Sequence, residues 1–202
     1  MIELCAANNF DTKDILNSGI LSKIDTICCC SSQIKDFMQF TNIGVLIDYP
    51  YGLADTKVRE HELIFSVRNG VKYADISINR KFLENNDFKK IIEEITIFNK
   101  IIKGTGVELR VIIESLYFPV PKLNDICTCL FSYGINYVIF GSGIYNNDIN
   151  DNIINAAIVN DTVPINIILG TQFCTKESYE ILKKSKLSGI RLTSQKSLER
   201  IL

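Results

Sequence analysis

The chain is poor in the residues that protein chemistry recruits first. Its single histidine is His61, and its seven cysteines never form the paired Cys-x-x-Cys spacing of a zinc site, so no metal is expected. Excess charge is lacking too. With 22 Lys and Arg against 23 Asp and Glu, the formal net charge is -1, which removes the electrostatic case for a nucleic-acid partner or an anionic membrane surface. Apolar runs such as Val111-Ile112-Ile113 and Val138-Ile139-Phe140 fall far short of the ~20 residues of a membrane-spanning helix. The opening Met1-Ile2-Glu3-Leu4-Cys5 has no basic segment leading an apolar core, so no signal peptide is expected. Also absent are a Gly-x-Ser-x-Gly elbow, a P-loop and a dinucleotide fingerprint, and no cofactor is expected.

Three of the seven cysteines are consecutive, Cys28, Cys29 and Cys30. Neighbours on a strand point to opposite faces, which suits small buried side chains better than a disulfide framework. An odd count of reduced thiols places the protein in the cytoplasm. His61 sits between Glu60 and Glu62 in a helical stretch and reads as a solvated side chain.

What the chain does have is a repeated unit: a short apolar run, a polar turn, then an amphipathic stretch. Strands are expected over 2–7, 25–30, 43–47, 73–78, 109–114, 137–140, 165–169 and 189–192. Helices are expected over 11–18, 31–40, 57–69, 88–103, 121–133, 148–160, 175–185 and 195–202. Asp11 and Thr12 supply capping signals for the first helix, and Thr175-Lys176-Glu177-Ser178 for the seventh. Ile91, Ile92, Ile95, Phe98, Ile101 and Ile102 share one broad apolar face. Alternation implies parallel strands, and eight units of about 25 residues suggest a compact (β/α)8 TIM barrel near the ~200-residue lower limit of that fold. No linker or low-complexity tract interrupts it, so one domain over 1–202 is expected. A flavodoxin-like open sheet is the structural alternative, and it leaves about three units without a place.

The order of motifs resembles deoxyribose-phosphate aldolase, of the class I aldolase superfamily, along essentially the whole chain. Ile2-Glu3-Leu4-Cys5-Ala6-Ala7 matches the family's opening Ile-Asp-His-Thr-Leu-Leu, and Asp25-Thr26-Ile27-Cys28 is similar to its second strand, which carries a Cys where Cys28 falls. Val45 to Gly52 resembles its Val-Ile-Gly-Phe-Pro-Leu-Gly. Ala74-Asp75, with Asn79 beyond, follows its Gly-Ala-x-Glu-Ile-Asp strand, and Arg110-Val111-Ile112-Ile113-Glu114-Ser115 is close to its Lys-Val-Ile-Ile-Glu-Thr.

The departures fall on the chemistry. The family's imine-forming Lys on the sixth strand corresponds to Ile139, and its seventh-strand Lys to Ile168. A Schiff-base aldolase needs a lysine amine with a depressed pKa, and isoleucine supplies neither nucleophile nor charge. Thr171-Gln172 stands where the family turns on two glycines, and Leu192-Thr193-Ser194 where it has Gly-Thr-Ser. The added side chains crowd a phosphate's approach to backbone N–H groups. The resemblance therefore implies a pseudoenzyme acting in binding, scaffolding or regulation, with no catalytic residue expected. The alternative is an active lyase on 2-deoxyribose 5-phosphate or a related phosphosugar, using Asp75, Glu114 and a relocated lysine. Lys57 and Lys81 lie nearest the strand ends, and Lys81 follows the strand bearing Asp75.

Expected ligand contacts are Asp75, Asn79, Arg110, Glu114, Gly143, Thr193 and Ser194. Asp75 has a structural alternative: a hydrogen bond near Asn79, or an ion pair with Arg110 or Arg191. An open mouth with an inward Lys81 would favour the active reading, and a mouth filled by Phe140, Leu169 and Leu192 would oppose it. The partners expected are a phosphosugar or other small anion, and a second copy or another protein.

Overall fold

The computed structural model describes residues 1–7, 12–40, 42–145 and 149–202. Its parallel strands are β1 (Ile2–Cys5), β2 (Thr26–Cys30), β3 (Ile43–Ile47), β4 (Tyr73–Ser77), β5 (Glu108–Ile113), β6 (Tyr137–Phe140), β7 (Asn166–Thr171) and β8 (Gly189–Leu192). They pair in chain order, and β1 pairs with β8, closing the barrel. The (β/α)8 architecture is thus the expected one, and closure excludes the open sheet. In a parallel barrel both faces of every strand are covered, which is why strands such as β2, β3 and β6 are nearly continuous apolar runs and not alternations.

Helices pack outside: α1 (Thr12–Asn17), α2 (Thr56–Arg68), α3 (Arg80–Glu84), α4 (Phe88–Ile102), α5 (Val120–Ser132), α6 (Ile149–Thr162), α7 (Lys176–Lys184) and α8 (Gln195–Ile201). Side-chain oxygens of Asp55, Asn79, Asp87, Thr175 and Ser194 cap α2, α3, α4, α7 and α8 by accepting from first-turn N–H groups. One large apolar core fills the space between strands and helices; a second, smaller one lies inside the barrel.

Three local features differ from the sequence pattern. The segment expected as a helix over 31–40 is a 3-10 helix, Ser31–Phe37, with i to i+3 bonding in place of the expected α-helix. The short α3 follows β4 immediately, started by the Asn79 cap. A further 3-10 turn, Ser115–Tyr117, follows β5. The Tyr49-Pro50 peptide is cis. Asp11 and Asp148, expected as leading residues of the first and sixth helices, lie outside the described residues.

Candidate functional site

Alternation along each strand decides which side chains enter the barrel. Glu3, Asp75, Arg110 and Arg191 do so from β1, β4, β5 and β8, and all four are buried. They form a closed ring. Arg110 donates from Nε to Asp75 Oδ1 at 2.6 Å, from Nη2 to Asp75 Oδ2 at 2.9 Å, and from Nη1 to Glu3 Oε1 at 2.6 Å. Arg191 donates from Nε and Nη2 to Glu3 Oε2 at 2.8 and 2.6 Å, and from Nη2 to Asp75 Oδ2 at 2.6 Å. Two carboxylates against two guanidiniums leave the layer neutral, the condition under which buried charge is tolerated. The Tyr73 ring stacks 4.0 Å from the Arg110 guanidinium. Gly44 leaves room for it, since a Cβ there would sit 3.2 Å from both Arg110 Nη2 and Asp75 Oδ2.

Burial pushes the Asp75 carboxyl up, but the Arg110 and Arg191 charges outweigh it and hold the group below the ordinary carboxylate value. Burial likewise opposes charge on Arg110, and Asp75 and Glu3 overcome it, leaving the guanidinium more firmly protonated than usual. Asp75 is therefore an ionised structural anchor with its oxygens committed. Asn79, expected beside it, instead accepts from Lys81 N at 3.0 Å as the cap of α3.

One pleat step along the strands, the interior turns apolar. Ile139 and Ile168, expected from the sequence resemblance to stand where the family has lysines, are register partners on β6 and β7 and are fully buried. They pack with Cys5, Cys28, Leu46 and Ile112, with Tyr49 against the same cluster. Tyr49 follows β3 and crosses the mouth: its hydroxyl donates to the Ser142 carbonyl at 2.6 Å and lies 4.0 Å from Cys5 Sγ. Phe140, Leu169 and Leu192 do not fill the mouth. Each is adjacent in sequence to an inward-facing residue, so alternation turns it outward into the core beneath the helices.

The loop that carries Tyr49 is held from several sides. Glu62 accepts from Asp48 N at 3.2 Å, and Asp48 Oδ2 accepts from Ala54 N at 2.8 Å. Arg59, buried on α2, pairs with Glu94 at 2.8 Å, donates to the Ser77 carbonyl, and approaches Asp48 at 3.7 Å. Sequence reasoning missed this arginine as a tie between α2, α4 and the end of β4. Its spacing to the buried Leu63 and Ser66 on the same helix was the available signal. Glu3 was missed as well, although alternation puts it on the same face as Cys5.

The residues expected to hold an anion come together but are spent internally. Thr193 Oγ1 donates to the Gly143 carbonyl at 3.0 Å, Thr171 Oγ1 donates to the Phe173 carbonyl at 3.0 Å, and Ser194 caps α8 through Ser197 N at 3.4 Å. Gly143 has φ +81°, and a Cβ there would meet Thr193 Cγ2 at 2.7 Å, so the loop after β6 packs directly on Thr193.

On the other side of the mouth a cavity of about 410 Å³ opens between the loops after β3, β4, β5 and β6. It brings Lys81 and Glu114 into one site. Glu114 is half-buried, and its Oε1 accepts from Ser142 N at 2.9 Å. Burial raises its carboxyl above the usual value, with the Ser142 bonds opposing. Lys81 is exposed, on α3. Lys57 is exposed in the first turn of α2. Among the described residues no lysine is buried, no group of three His, Cys, Asp or Glu side chains is arranged to hold a metal, and no helix is long and apolar enough to cross a membrane.

No protein-family model matches the chain. It is 24% identical over 142 residues to deoxyribose-phosphate aldolase of Treponema denticola, covering 68% of this chain and 66% of that protein. It is 26% identical over 117 residues to the enzyme of Thermotoga petrophila, covering 57% of this chain and 46% of that one. The aligned stretch thus spans between about half and two thirds of the length of these curated relatives. Among solved structures, QR15, an aldolase, superposes with a TM-score of 0.85 at 16% identity, covering 98% of this chain and 92% of that one. The tetrameric deoxyribose phosphate aldolase of Aeropyrum pernix gives a TM-score of 0.83 at 14% identity, covering 98% and 88%. These superpositions establish the shared barrel. In sequence the chain is similar, over part of its length, to curated deoxyribose-phosphate aldolases.

Proposed function

We propose that this barrel is a deoxyribose-phosphate-aldolase-like pseudoenzyme, retained for binding, scaffolding or regulation and without Schiff-base turnover. The observation that carries the reading is the sealed Ile139–Ile168 layer under Tyr49. An imine forms when a neutral lysine amine attacks a carbonyl and water leaves, and the amine must be unprotonated and within reach. No lysine among the described residues is buried, so none is placed in the apolar interior of the barrel. Of the polar side chains lining the barrel, Asp75, Arg110 and Arg191 bond one another and Glu3, with Arg191 Nη1 alone left without a partner in this set. Thr171 and Gln172, standing where the resemblance places paired glycines, support the same reading. Seven free thiols support a reducing, cytoplasmic setting.

The test is borohydride reduction of the purified protein with 2-deoxyribose 5-phosphate, followed by intact-mass measurement and a cleavage assay. No adduct and no aldehyde release are expected; a stoichiometric lysine adduct with turnover overturns the proposal. The shared cavity of Lys81 and Glu114 favours one alternative, a relocated lyase, and an adduct mapped to Lys81 would select it.

A further inference from the structure

The cavity beside Glu114 is open while the barrel axis is closed, and its walls state what it suits. Leu53, Ile78, Leu83, Ile112 and Phe118 give it an apolar lining, and the Tyr51 and Tyr145 rings meet edge to face at 6.0 Å along it. A volume of about 410 Å³ lies within the size range of small-molecule sites. Its charges nearly cancel. Arg80 is satisfied from outside the cavity's needs, paired with Glu84 at 2.7 Å and stacked on Tyr117 at 4.1 Å. Two groups carry no ion pair within 4 Å: the half-buried carboxyl of Glu114, which feels the Arg80 charge at longer range, and the exposed ammonium of Lys81. A carboxylate has about four acceptor positions, and Ser142 engages Glu114 through its backbone N–H and its hydroxyl, which leaves capacity for a ligand donor.

We propose that this cavity binds a small acid built on an apolar ring, with its carboxylate or phosphate at Lys81 and a hydroxyl or amine donating to Glu114. A polyhydroxylated sugar body is the poorer complement, because the aliphatic faces of Leu53, Ile78, Leu83 and Ile112 and the Phe118 ring would strip water from hydroxyls they cannot bond. None of the lining residues comes from β7 or β8 or the loops after them. The site adjoins the Gly143 loop through Glu114 and Tyr145 and the barrel interior through Ile112, but binding of a ring acid there needs no imine on the barrel axis.

The experiment is a calorimetric or NMR titration of the full chain with 4-hydroxyphenylacetate, phenylacetate, 4-methylphenol and 2-deoxyribose 5-phosphate. The first probe has ring, acid and donor; the next two each lack one of the polar groups. Glu114→Gln is expected to weaken 4-hydroxyphenylacetate about tenfold, the cost of one charge-assisted bond, and to leave phenylacetate unchanged. Lys81→Met, at an exposed position that folding does not need, is expected to weaken both acids several-fold and leave 4-methylphenol unchanged. Lys183→Met on α7 serves as the control and should change nothing. The proposal is overturned if no ring probe binds, if the three ring probes bind equally, if the sugar phosphate binds tightest, or if Lys81→Met is silent. Should Glu114→Gln not fold, the probe series and Lys81→Met still decide the outcome.

Discussion

Replacing Asp75 by Asn tests the buried ring most directly. The substitution preserves shape but removes one of the two negative charges, leaving Arg110 and Arg191 facing Glu3 alone. Three hydrogen bonds of 2.6, 2.9 and 2.6 Å end on Asp75, and an Asn Nδ2 turned toward a guanidinium presents donor to donor. Breaking a buried ion pair from one side costs about 3–5 kcal/mol, because a charge is stranded without water. For a chain of this length each kcal/mol moves the midpoint by about 2–4 °C, so the variant should melt about 6–20 °C lower. The assay is urea and thermal unfolding followed by circular dichroism, with Arg110→Met and the double variant completing a cycle. Removing Asp75 and Arg110 together restores neutrality, so the double variant should recover at least about 2 kcal/mol of the summed single losses. A Asp75→Asn loss below about 1 kcal/mol, or additivity within ~0.5 kcal/mol, refutes the reasoning.

Four further outcomes follow from the geometry. Asp75 has a lowered pKa, so its contribution is fully present above the unfolded value near 3.9 and is lost as pH falls through the lower folded value; the stability gap between wild type and Asp75→Asn, measured in urea, should narrow below about pH 4. Tyr49→Phe deletes the hydroxyl bond to the Ser142 carbonyl and should cost about 1 kcal/mol in the same measurement. Ile139→Lys places an amine in the apolar layer; it should destabilise by about 4 kcal/mol or more at pH 7, with the penalty shrinking as pH rises toward 10, because the folded state accepts only the neutral amine. Burial raises the Cys5 and Cys28 thiols, so Ellman's reagent with peptide mapping should find the half-buried Cys30 and Cys129 modified first.

The barrel was legible because β-branched runs such as Ile43 to Ile47 and Tyr137 to Phe140 recur between helical stretches at an even spacing. The pairing of Asp75 with Arg110 was legible too, since neighbouring strands bring them into register. Glu3 was not, because its partner Arg191 is 188 residues away in sequence and becomes a neighbour only on closure. Tyr49 is one of several aromatics, with Tyr51, Tyr117 and Tyr145, that follow strand ends in the sequence. Which of them crosses the axis depends on the loop path fixed by Asp48, Arg59 and Glu62, and no local pattern encodes that path. The error at Phe140, Leu169 and Leu192 came from reading position along a strand without its phase. The five-residue α3 was invisible because so short a segment carries no periodicity.

The Glu3–Arg191 contact has a consequence for how this chain comes to be folded. Before β8 docks, two acids confront a single guanidinium, and any half-built cylinder carries an unbalanced anion where it most needs dryness. Arrival of the final strand therefore does two jobs at once, completing the hydrogen-bonded circle and cancelling the surplus charge. Such a long-range keystone should make assembly slow and all-or-none, with fragments ending short of Gly189 remaining expanded.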